Sequence, residues 1–290
     1  MREGRDYVSK PLYKRKILRT IIAAILALGL LTAWAFYRGL TVRQYTVSSY
    51  KLNHDDVIRI VLITDLHSCI YGENQKDIIS VLAAQKPDLI LLGGDIADDV
   101  NPLEGTIQFL KGIKGLAPSF YVSGSHDMWR EDYPQVKALF ASYGVTVMEG
   151  DINPLTIRGQ QINLCGIQDP DVPYQGRSDL FGKALYNAFH GLEEDAYNIL
   201  LAHRPDFIDL YRQYPFDLVL SGHTHGGQVR IPLLINGLYA PNQGWYPKYA
   251  GGLYQAGDTA MIVSRGVSYY PKLPRIFNPP EVVMVKLGQE

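Results

Sequence analysis

The segment VIRIVLITDLH, residues 57–67, joins a run of β-branched and other apolar residues to the polar residues Asp65 and His67. Such a run predicts a buried strand that is followed directly by groups able to bind a metal or move a proton. Four later stretches repeat this arrangement, because apolar residues also precede GGD (93–95), GSHD (124–127), LAHRP (201–205) and GHTH (222–225). The repetition predicts that several strands end beside one another in a shared polar site.

Segments with helical spacing alternate with these strands. The pattern predicts strands over 57–64, 89–92, 120–122, 145–148, 155–158, 161–167, 198–202, 218–220, 261–264 and 282–285, and helices over 74–86, 102–114, 134–143 and 179–190. A β-α-β-α order is typical of an α/β fold with mostly parallel strands covered on both faces. Ligands of such sheets bind at the carboxyl ends of the strands, which is where all five polar stretches lie.

The residue types in these stretches indicate a metal centre. Five of the seven histidines and three carboxylates, those of Asp65, Asp95 and Asp127, occur there. A mixture of imidazole and carboxylate suits Mn, Fe or Zn better than Mg or Ca, which prefer oxygen alone. The donors suffice for two metals with one carboxylate bridging them, and two adjacent metals are a known device for displacement at phosphorus.

Composition excludes several other classes. The chain has 290 residues, of which 47% are hydrophobic and 20% charged, and its net charge is −1. An ordinary globular core is expected, and no nucleic-acid-binding surface is expected. The two cysteines, Cys69 and Cys165, exclude a disulfide framework and a cysteine-based zinc site. A single bridge between them stays open, although two buried free thiols are the simpler interpretation.

The N-terminal region differs from the rest of the chain. Residues 20–37 form an uncharged stretch that is long enough for a membrane-spanning helix. Seven Lys and Arg precede them and three follow in a comparable stretch, so the N-terminus is expected in the cytoplasm and the remainder outside it. We therefore predict a basic cytoplasmic segment (1–19), a transmembrane helix (20–37), a linker (38–56) and a catalytic domain (57–290). A signal peptide cleaved near Ala33–Ala35 is the alternative, but the apolar run is long for one.

In order and spacing the polar stretches resemble the calcineurin-like metallophosphoesterases, whose pattern is DxH, GD, GNH followed by an acid, a single His, and GHxH. The continuation GHTHGGQVRIP, SRG and NPPE is similar to the membrane-attached bacterial branch of YkuE type. Each fragment alone is a weak signal, whereas five in order are strong. The resemblance covers about Val57 to Leu287 and implies a four-layer α/β/β/α sandwich.

The resemblance also implies a role for each residue. Asp65, His67 and His225 would hold one metal, His203 and His223 the other, and Asp95 would bridge them. His126 would protonate the leaving group, with Asp127 as its orienting neighbour. The implied cofactors are two divalent transition metals, with Mn favoured over Fe or Zn, and the implied reaction is hydrolysis of phosphate esters or anhydrides by a hydroxide that bridges the metals.

Ser125 departs from the family pattern, which has Asn as a ligand of the second metal at this position. A hydroxyl is a poorer and shorter donor, so Ser125 would bind that metal more weakly. The alternative to an enzyme is therefore a metal-containing binding or regulatory domain whose turnover has been lost or weakened through Ser125. For an enzyme, a lipid-linked or cell-envelope phosphoester competes with a soluble nucleotide, and tethering at the bilayer favours the former.

The region 232–257 is rich in Gly, Pro and Tyr and predicts a long loop. Its aromatics and those that follow either cover an amphiphilic substrate or simply pack the loop, and the second interpretation is the plainer one: they are Tyr239, Trp245, Tyr246, Tyr249, Tyr254, Tyr269 and Tyr270. Arg204 and Arg265 are candidates either to clamp phosphate or to form structural ion pairs. Asp98 and Asp99 are expected to lie in a solvated loop.

Overall fold

A computed structural model describes residues 10–53, 57–269 and 274–289. Its strands are β1 (Thr41–Ser48), β2 (Ile58–Ile63), β3 (Leu89–Gly93), β4 (Ser119–Val122), β5 (Val145–Val147), β6 (Asp151–Ile157), β7 (Gln160–Ile167), β8 (Tyr197–Ala202), β9 (Leu218–Ser221), β10 (Tyr239–Ala240), β11 (Gly244–Trp245), β12 (Gly252–Ala256), β13 (Thr259–Val263) and β14 (Glu281–Gly288). Its helices are α1 (Lys10–Ala35), α2 (Lys76–Ala84), α3 (Glu104–Ile113), α4 (Ser125–Met128), α5 (Tyr133–Ser142), α6 (Asp171–Tyr174), α7 (Ser178–Phe189) and α8 (Ile208–Tyr211).

The strands form two six-stranded sheets and a small hairpin. The first sheet has the order β1-β14-β2-β3-β4-β5, in which β2 to β5 are parallel and β14 runs antiparallel to β2. The second has the order β12-β13-β9-β8-β7-β6, with parallel strands at its centre and antiparallel strands at both edges. The predicted predominance of parallel strands is confirmed.

Three buried apolar clusters define the layers. One lies between the sheets and contains residues of both, including Leu62 and Leu201. A second lies between the first sheet and the helices α2, α3 and α5, and a third lies between the second sheet and the helices α7 and α8. Because helices cover the outer face of each sheet, the four-layer α/β/β/α sandwich is confirmed.

The segment 38–56, predicted as a linker, is instead largely part of the domain. Residues 41–48 form β1, which pairs in parallel with β14 along its whole length, and Leu52 is 3% exposed in the cluster between the sheets. Exposed and partly buried residues alternate along much of β1, as is typical of an edge strand. The many polar residues of this segment prevented its prediction as a strand. Residues 54–56 lie outside the described residues.

The N-terminal apolar segment forms a helix that stands apart from the sandwich. In α1, residues 13–35 form a candidate membrane span whose apolar part follows the cations Lys14, Arg15, Lys16 and Arg19, and the span is exposed almost throughout. The predicted span was 20–37, whereas the helix ends at Ala35. There Trp34 lies edge-on to Phe277, with ring centroids 4.9 Å apart, and the Phe277 amide donates to the Ala35 carbonyl at 2.7 Å. Of the predicted basic segment, residues 1–9 lie outside the described residues and residues 10–19 belong to α1; Tyr270 also lies outside the described residues.

The region predicted as a long loop contains short strands. It includes the β10–β11 hairpin and β12, which pairs with β13 at the edge of the second sheet. Short strands of this kind carry no periodicity to recognise in a sequence. Both cysteines are free thiols; Cys165 is buried and Cys69 is partly exposed.

Leu52 tests whether the segment before residue 57 belongs to the fold. Leu52→Ala should destabilise the protein by about 2–5 kcal/mol, because it leaves a cavity between the sheets. Val42→Ala, on the exposed face of β1, should change stability by no more than about 0.5 kcal/mol. Urea unfolding measures the free energy of unfolding of both variants. Equal losses of stability would show that the segment is a linker and not part of the domain.

Candidate metal centre

Five strand ends meet at one edge of the sandwich. The strands β2, β3 and β4 of the first sheet lead to Asp65, Asp95 and His126, and the strands β8 and β9 of the second lead to His203 and His223. The Asp65 amide donates to the Gly94 carbonyl at 2.9 Å, and the Gly222 amide donates to the His203 carbonyl at 3.0 Å. The predicted convergence of the polar stretches is therefore confirmed.

One group of donors consists of Asp65, His67 and His225. The two imidazole Nε2 atoms lie 3.3 Å apart, and His225 Nε2 lies 3.5 Å from Asp65 Oδ1. The group gathers one donor atom from each side chain within 4.8 Å of the others. Donors of these types this close together suit a transition-metal cation.

A second group consists of Asp95, His203 and His223, and all three are buried. His203 Nε2 lies 3.2 Å from Asp95 Oδ2 and 3.3 Å from His223 Nδ1. Asp95 also faces the first group, since the same oxygen lies 3.7 Å from His67 Nε2. One carboxylate thus stands between two sets of donors.

Backbone amides hold both carboxylates in place. The His223 amide lies 3.0 Å from Asp65 Oδ1, and the His126 amide donates to Asp95 Oδ1 at 2.8 Å. Close glycines make these approaches possible. A Cβ on Gly124 would lie 2.2 Å from Asp95 Oδ1, and one on Gly222 would lie 2.7 Å from Asp65 Oδ2.

The donor residues have strained backbone conformations. Five of them have positive φ angles although none is glycine: Asp65 (54°), His67 (48°), Asp95 (54°), His223 (72°) and His225 (48°). Such conformations cost energy and gather at functional sites, where the surrounding structure enforces them. The strain turns side chains from both sheets toward one point.

Each donor imidazole directs one ring nitrogen toward the other donors, and its second ring nitrogen contacts a group outside the donor set. His67 Nδ1 faces Asp98 Oδ2 at 3.0 Å and His203 Nδ1 faces the Gly93 carbonyl at 2.8 Å. The remaining two are fixed by Asn242, whose Oδ1 lies 2.9 Å from His223 Nε2, and by Ser268, whose Oγ lies 3.2 Å from His225 Nδ1. Outer partners of this kind set the tautomer and orientation of metal-binding histidines.

Burial and mutual charge shift the pKa values of the donors strongly. Burial opposes ionisation of Asp95, yet the charge on His203 holds the pKa of Asp95 well below its usual range. Burial opposes protonation of His203 too, but Asp95 raises the pKa of His203 to about 10. Burial and the charge of His203 lower the pKa of His223 to about 3, which keeps its lone pair free. The buried negative charge therefore fits a cation, which would take the place of the His203 proton.

His126 lies beside these donors and is more accessible. Its side chain is 33% exposed and its ring meets the His67 ring edge-on, with centroids 4.6 Å apart. Its Nδ1 lies 2.6 Å from Asp99 Oδ1. Nε2 is therefore the nitrogen available to a molecule in the site.

Asp127 does not orient His126, contrary to the sequence prediction. Its carboxylate is buried and accepts backbone amides of Asp95, Ala97 and Gly124 at 2.7–2.9 Å. These bonds brace the turn that presents Asp95. The physical reason is α4, whose first turn directs the Asp127 side chain back to the β3 turn, away from the His126 ring.

The sequence did not predict the residues that contact the site histidines from outside: Asn242, Ser268, Asp98 and Asp99. Asp98 contacts His67 and Asp99 contacts His126, so both carboxylates belong to the site, although Asp98 is buried and Asp99 is exposed as expected for a solvated loop. Only their place directly after a strand-end motif could have suggested this. Arg204 pairs with Asp206 and Arg265 with Glu281, both at 3.0 Å, which supports the structural role for both arginines. Ser125 is 3% exposed and begins α4, one residue before His126.

Comparison with known proteins points to one family. The model of the calcineurin-like phosphoesterase family matches residues 58–227. The chain is 29% identical to the metallophosphoesterase YkuE of Bacillus subtilis, over 96% of this chain and 98% of that protein. It is 31% identical to the phosphodiesterase YaeI of Escherichia coli, over 79% and 82% respectively. A Danio rerio protein described as a transmembrane protein with a metallophosphoesterase domain is 27% identical, over 99% of this chain and 66% of that protein.

Replacing Asp98 and Asp99 one at a time should separate two effects. Asp98→Ala frees the His67 ring and should weaken metal binding by about 10- to 100-fold. Asp99→Ala should leave metal affinity unchanged and lower turnover of an aryl phosphate, because it frees only the His126 ring. Metal titration followed by kinetics at saturating metal measures both. Identical profiles for the two variants would contradict this division.

Proposed function

This chain belongs to the calcineurin-like phosphoesterase family of metal-dependent phosphoesterases, and we propose that it hydrolyses phosphate esters or anhydrides by direct attack of water at a centre of two divalent metals. The observation that carries the proposal is the position of Asp95, whose Oδ2 faces His203 of one donor group and His67 of the other. A bridging carboxylate is what a two-metal centre needs, and a single site would not require it.

The ligand sets follow from the two donor groups. Asp65, His67 and His225 would hold one metal and His203 and His223 the other. Asp95 would contribute to both, since its Oδ2 faces His203 and His67. When bound, the two cations supply a water nucleophile at neutral pH and neutralise the phosphoryl oxygens. The donor set of imidazole and carboxylate supports Mn, Fe or Zn, and we favour Mn.

His126 supplies the proton for the leaving oxygen. The Asp99 carboxylate lies 2.6 Å from Nδ1, which fixes the ring and leaves Nε2 available to a substrate. The neighbouring Trp129 ring, 4.6 Å from that of His126, limits its rotation on the other side. A fixed imidazole within reach of the substrate is suited to general acid catalysis.

Ser125 supports the second candidate function, a binding or regulatory domain with weak or no turnover. The position begins α4 between Gly124 and His126, both of which contact Asp95 or its turn. A hydroxyl there gives the second metal a poorer donor than an amide. The enzyme remains the better supported function, because the remaining donors and His126 are all held in place.

Anchoring in the membrane supports a particular class of substrate. The N-terminal apolar helix has the length of a single membrane span, which supports an uncleaved anchor. The excess of cations before it supports placing the domain outside the cytoplasm. We assign the substrate to lipid-linked or cell-envelope phosphoesters, since a tethered enzyme meets them at its own surface. No nucleic-acid partner is expected from the near-neutral charge.

His126→Ala tests the acid. Turnover of a substrate with a poor leaving group should fall by about 10²–10⁴-fold. Turnover of an activated aryl ester should fall much less, because its leaving group needs no proton. Metal content, measured alongside by elemental analysis, should not change. Equal losses on the two substrates, or an emptied metal centre, would rule out the assignment.

Metal titration tests the centre and Ser125 together. Chelation should abolish hydrolysis by the parent, and Mn should restore it while Ca should not. Ser125→Asn should reach full activity at an Mn concentration about 10- to 100-fold lower. This is the usual size of the change in metal affinity when a group around a metal is altered. Ser125→Ala is the matched control and should resemble the parent.

Two results of that titration would count against the proposal. Hydrolysis that survives thorough chelation would exclude the metal mechanism. A Ser125→Asn variant with no gain in metal affinity would show that the centre is built around serine.

A fusion after Glu290 tests the orientation. A phosphatase reporter that folds only outside the cytoplasm should be active there, because seven cations precede the apolar run and three follow it. A fluorescent reporter that matures only in the cytoplasm is the control and should be dark. The opposite pattern would invert the topology.

A further inference from the structure

The loop between residues 228 and 246 exposes an unusual number of large apolar side chains. We call these six residues the apolar lip: Ile231, Leu233, Leu234, Tyr239, Trp245 and Tyr246. Leu233 is fully exposed and Leu234 is 81% exposed, whereas Trp245 and Tyr246 are each about two-thirds exposed. A cluster of this kind on one loop marks a binding surface.

The loop holds the lip in a defined shape. Ile231 and Ile235 exchange two backbone hydrogen bonds of 3.0 and 2.8 Å, which close a tight turn with the two leucines at its tip. Leu233 has a φ of 69° and Tyr246 one of 56°, conformations that bulky side chains avoid. A strained turn that exposes leucine to water is doubly unfavourable unless something apolar covers it.

The lip adjoins the metal centre. Asn242 lies in the turn of the β10–β11 hairpin, between Tyr239 and Trp245, and its Oδ1 contacts His223 Nε2 at 2.9 Å. Tyr239 and Trp245 pack edge-on across that hairpin, with centroids 5.5 Å apart. One loop therefore carries both a partner of a donor histidine and the exposed aromatics.

The lip also adjoins the end of α1. The Arg230 amide donates to the Ile276 carbonyl at 2.9 Å, and the next residue, Phe277, contacts both Trp34 and Ala35. Residues 36–40 alone join α1 to β1, a distance of at most about 18 Å. Thr41 at the start of β1 pairs with Glu281, so α1 enters the sandwich at the same edge as the metal centre.

The charge of the loop suits a membrane surface. The sequence has no Asp or Glu from Gln228 to Gly257, but it has Arg230 and Lys248. Exposed Trp and Tyr favour the boundary between headgroups and acyl chains, and cations favour anionic headgroups. The composition of the lip therefore suits a lipid surface, and so does its position beside the end of α1.

We propose that the apolar lip inserts into the interfacial layer of the membrane that α1 spans, so that the metal centre opens at the bilayer surface. The inference rests on the anchoring and the lipid-linked substrate of the proposed function, and it adds how the domain is oriented on the membrane. A substrate held in the bilayer by its lipid would then present its phosphate to the centre without leaving the membrane.

Fluorescence quenching tests the insertion directly. The chain has three tryptophans, Trp34, Trp129 and Trp245, so pairs of Trp→Phe substitutions leave one at a time. The full-length protein is reconstituted in vesicles of phosphatidylcholine and phosphatidylglycerol, with and without lipids brominated near the headgroup end of the acyl chains. Trp245 alone should lose fluorescence in the brominated vesicles, and Trp34 alone should lose it as the membrane-embedded standard.

Tyr50 supplies the matched control, because it is 85% exposed beyond the opposite end of β1. A Tyr50→Trp variant that lacks the native tryptophans should keep its fluorescence. Adding Leu233→Asp and Leu234→Asp should reduce the quenching of Trp245 and leave that of Trp34 intact. Trp245 quenched no more than the Tyr50→Trp reporter would overturn the proposal, and so would an unquenched Trp34, which would remove the anchor on which it rests.

The remaining outcomes are equally decisive. Quenching does not depend on catalysis. If Trp245 is quenched but the protein hydrolyses no ester, the proposed function is wrong and the insertion of the apolar lip still holds. If the protein is active but Trp245 is not quenched, only the proposed insertion of the apolar lip is wrong. If cross-linking then joined two chains through the loop, a second copy and not lipid would be its partner.

Discussion

The burial of negative charge at the seam between the two sheets is the constraint on which the site depends. Asp65 and Asp95 are almost completely buried, and an isolated buried carboxylate is very costly. The protein offsets that cost with backbone amides from the neighbouring turns and with the imidazoles of His203 and His67. The arrangement still gathers more donors than a proton needs, which supports the two divalent cations of the proposed function.

The left-handed turns are a consequence of the same constraint. Parallel strands place their carboxyl ends at one edge, but the side chains at that edge would point to different faces of the sheets. Positive φ angles at Asp65, Asp95 and His223 redirect them to a common point. The glycines between them leave room, and Asp127 braces the turn that carries Asp95. Fold and site are therefore specified by the same short motifs.

Apolar runs ending in polar motifs allowed most of the sandwich and the donor residues to be predicted, because a buried parallel strand and its terminal turn are both local in sequence. The edge strand β1 was not predicted, because one of its faces is exposed to solvent and its pairing partner β14 lies at the other end of the chain. Asp99 and Asn242 escaped because their roles arise only from contacts across the fold. Asp127 was misassigned because adjacency in sequence does not bring it to the His126 ring.

The central claim is that two cations share Asp95, and anomalous diffraction from crystals soaked in Mn tests it most directly. Two peaks should appear at this edge of the sandwich, one beside Asp65, His67 and His225 and the other beside His203 and His223, with Asp95 contacting both. A single peak, or two peaks that do not share Asp95, would contradict the account.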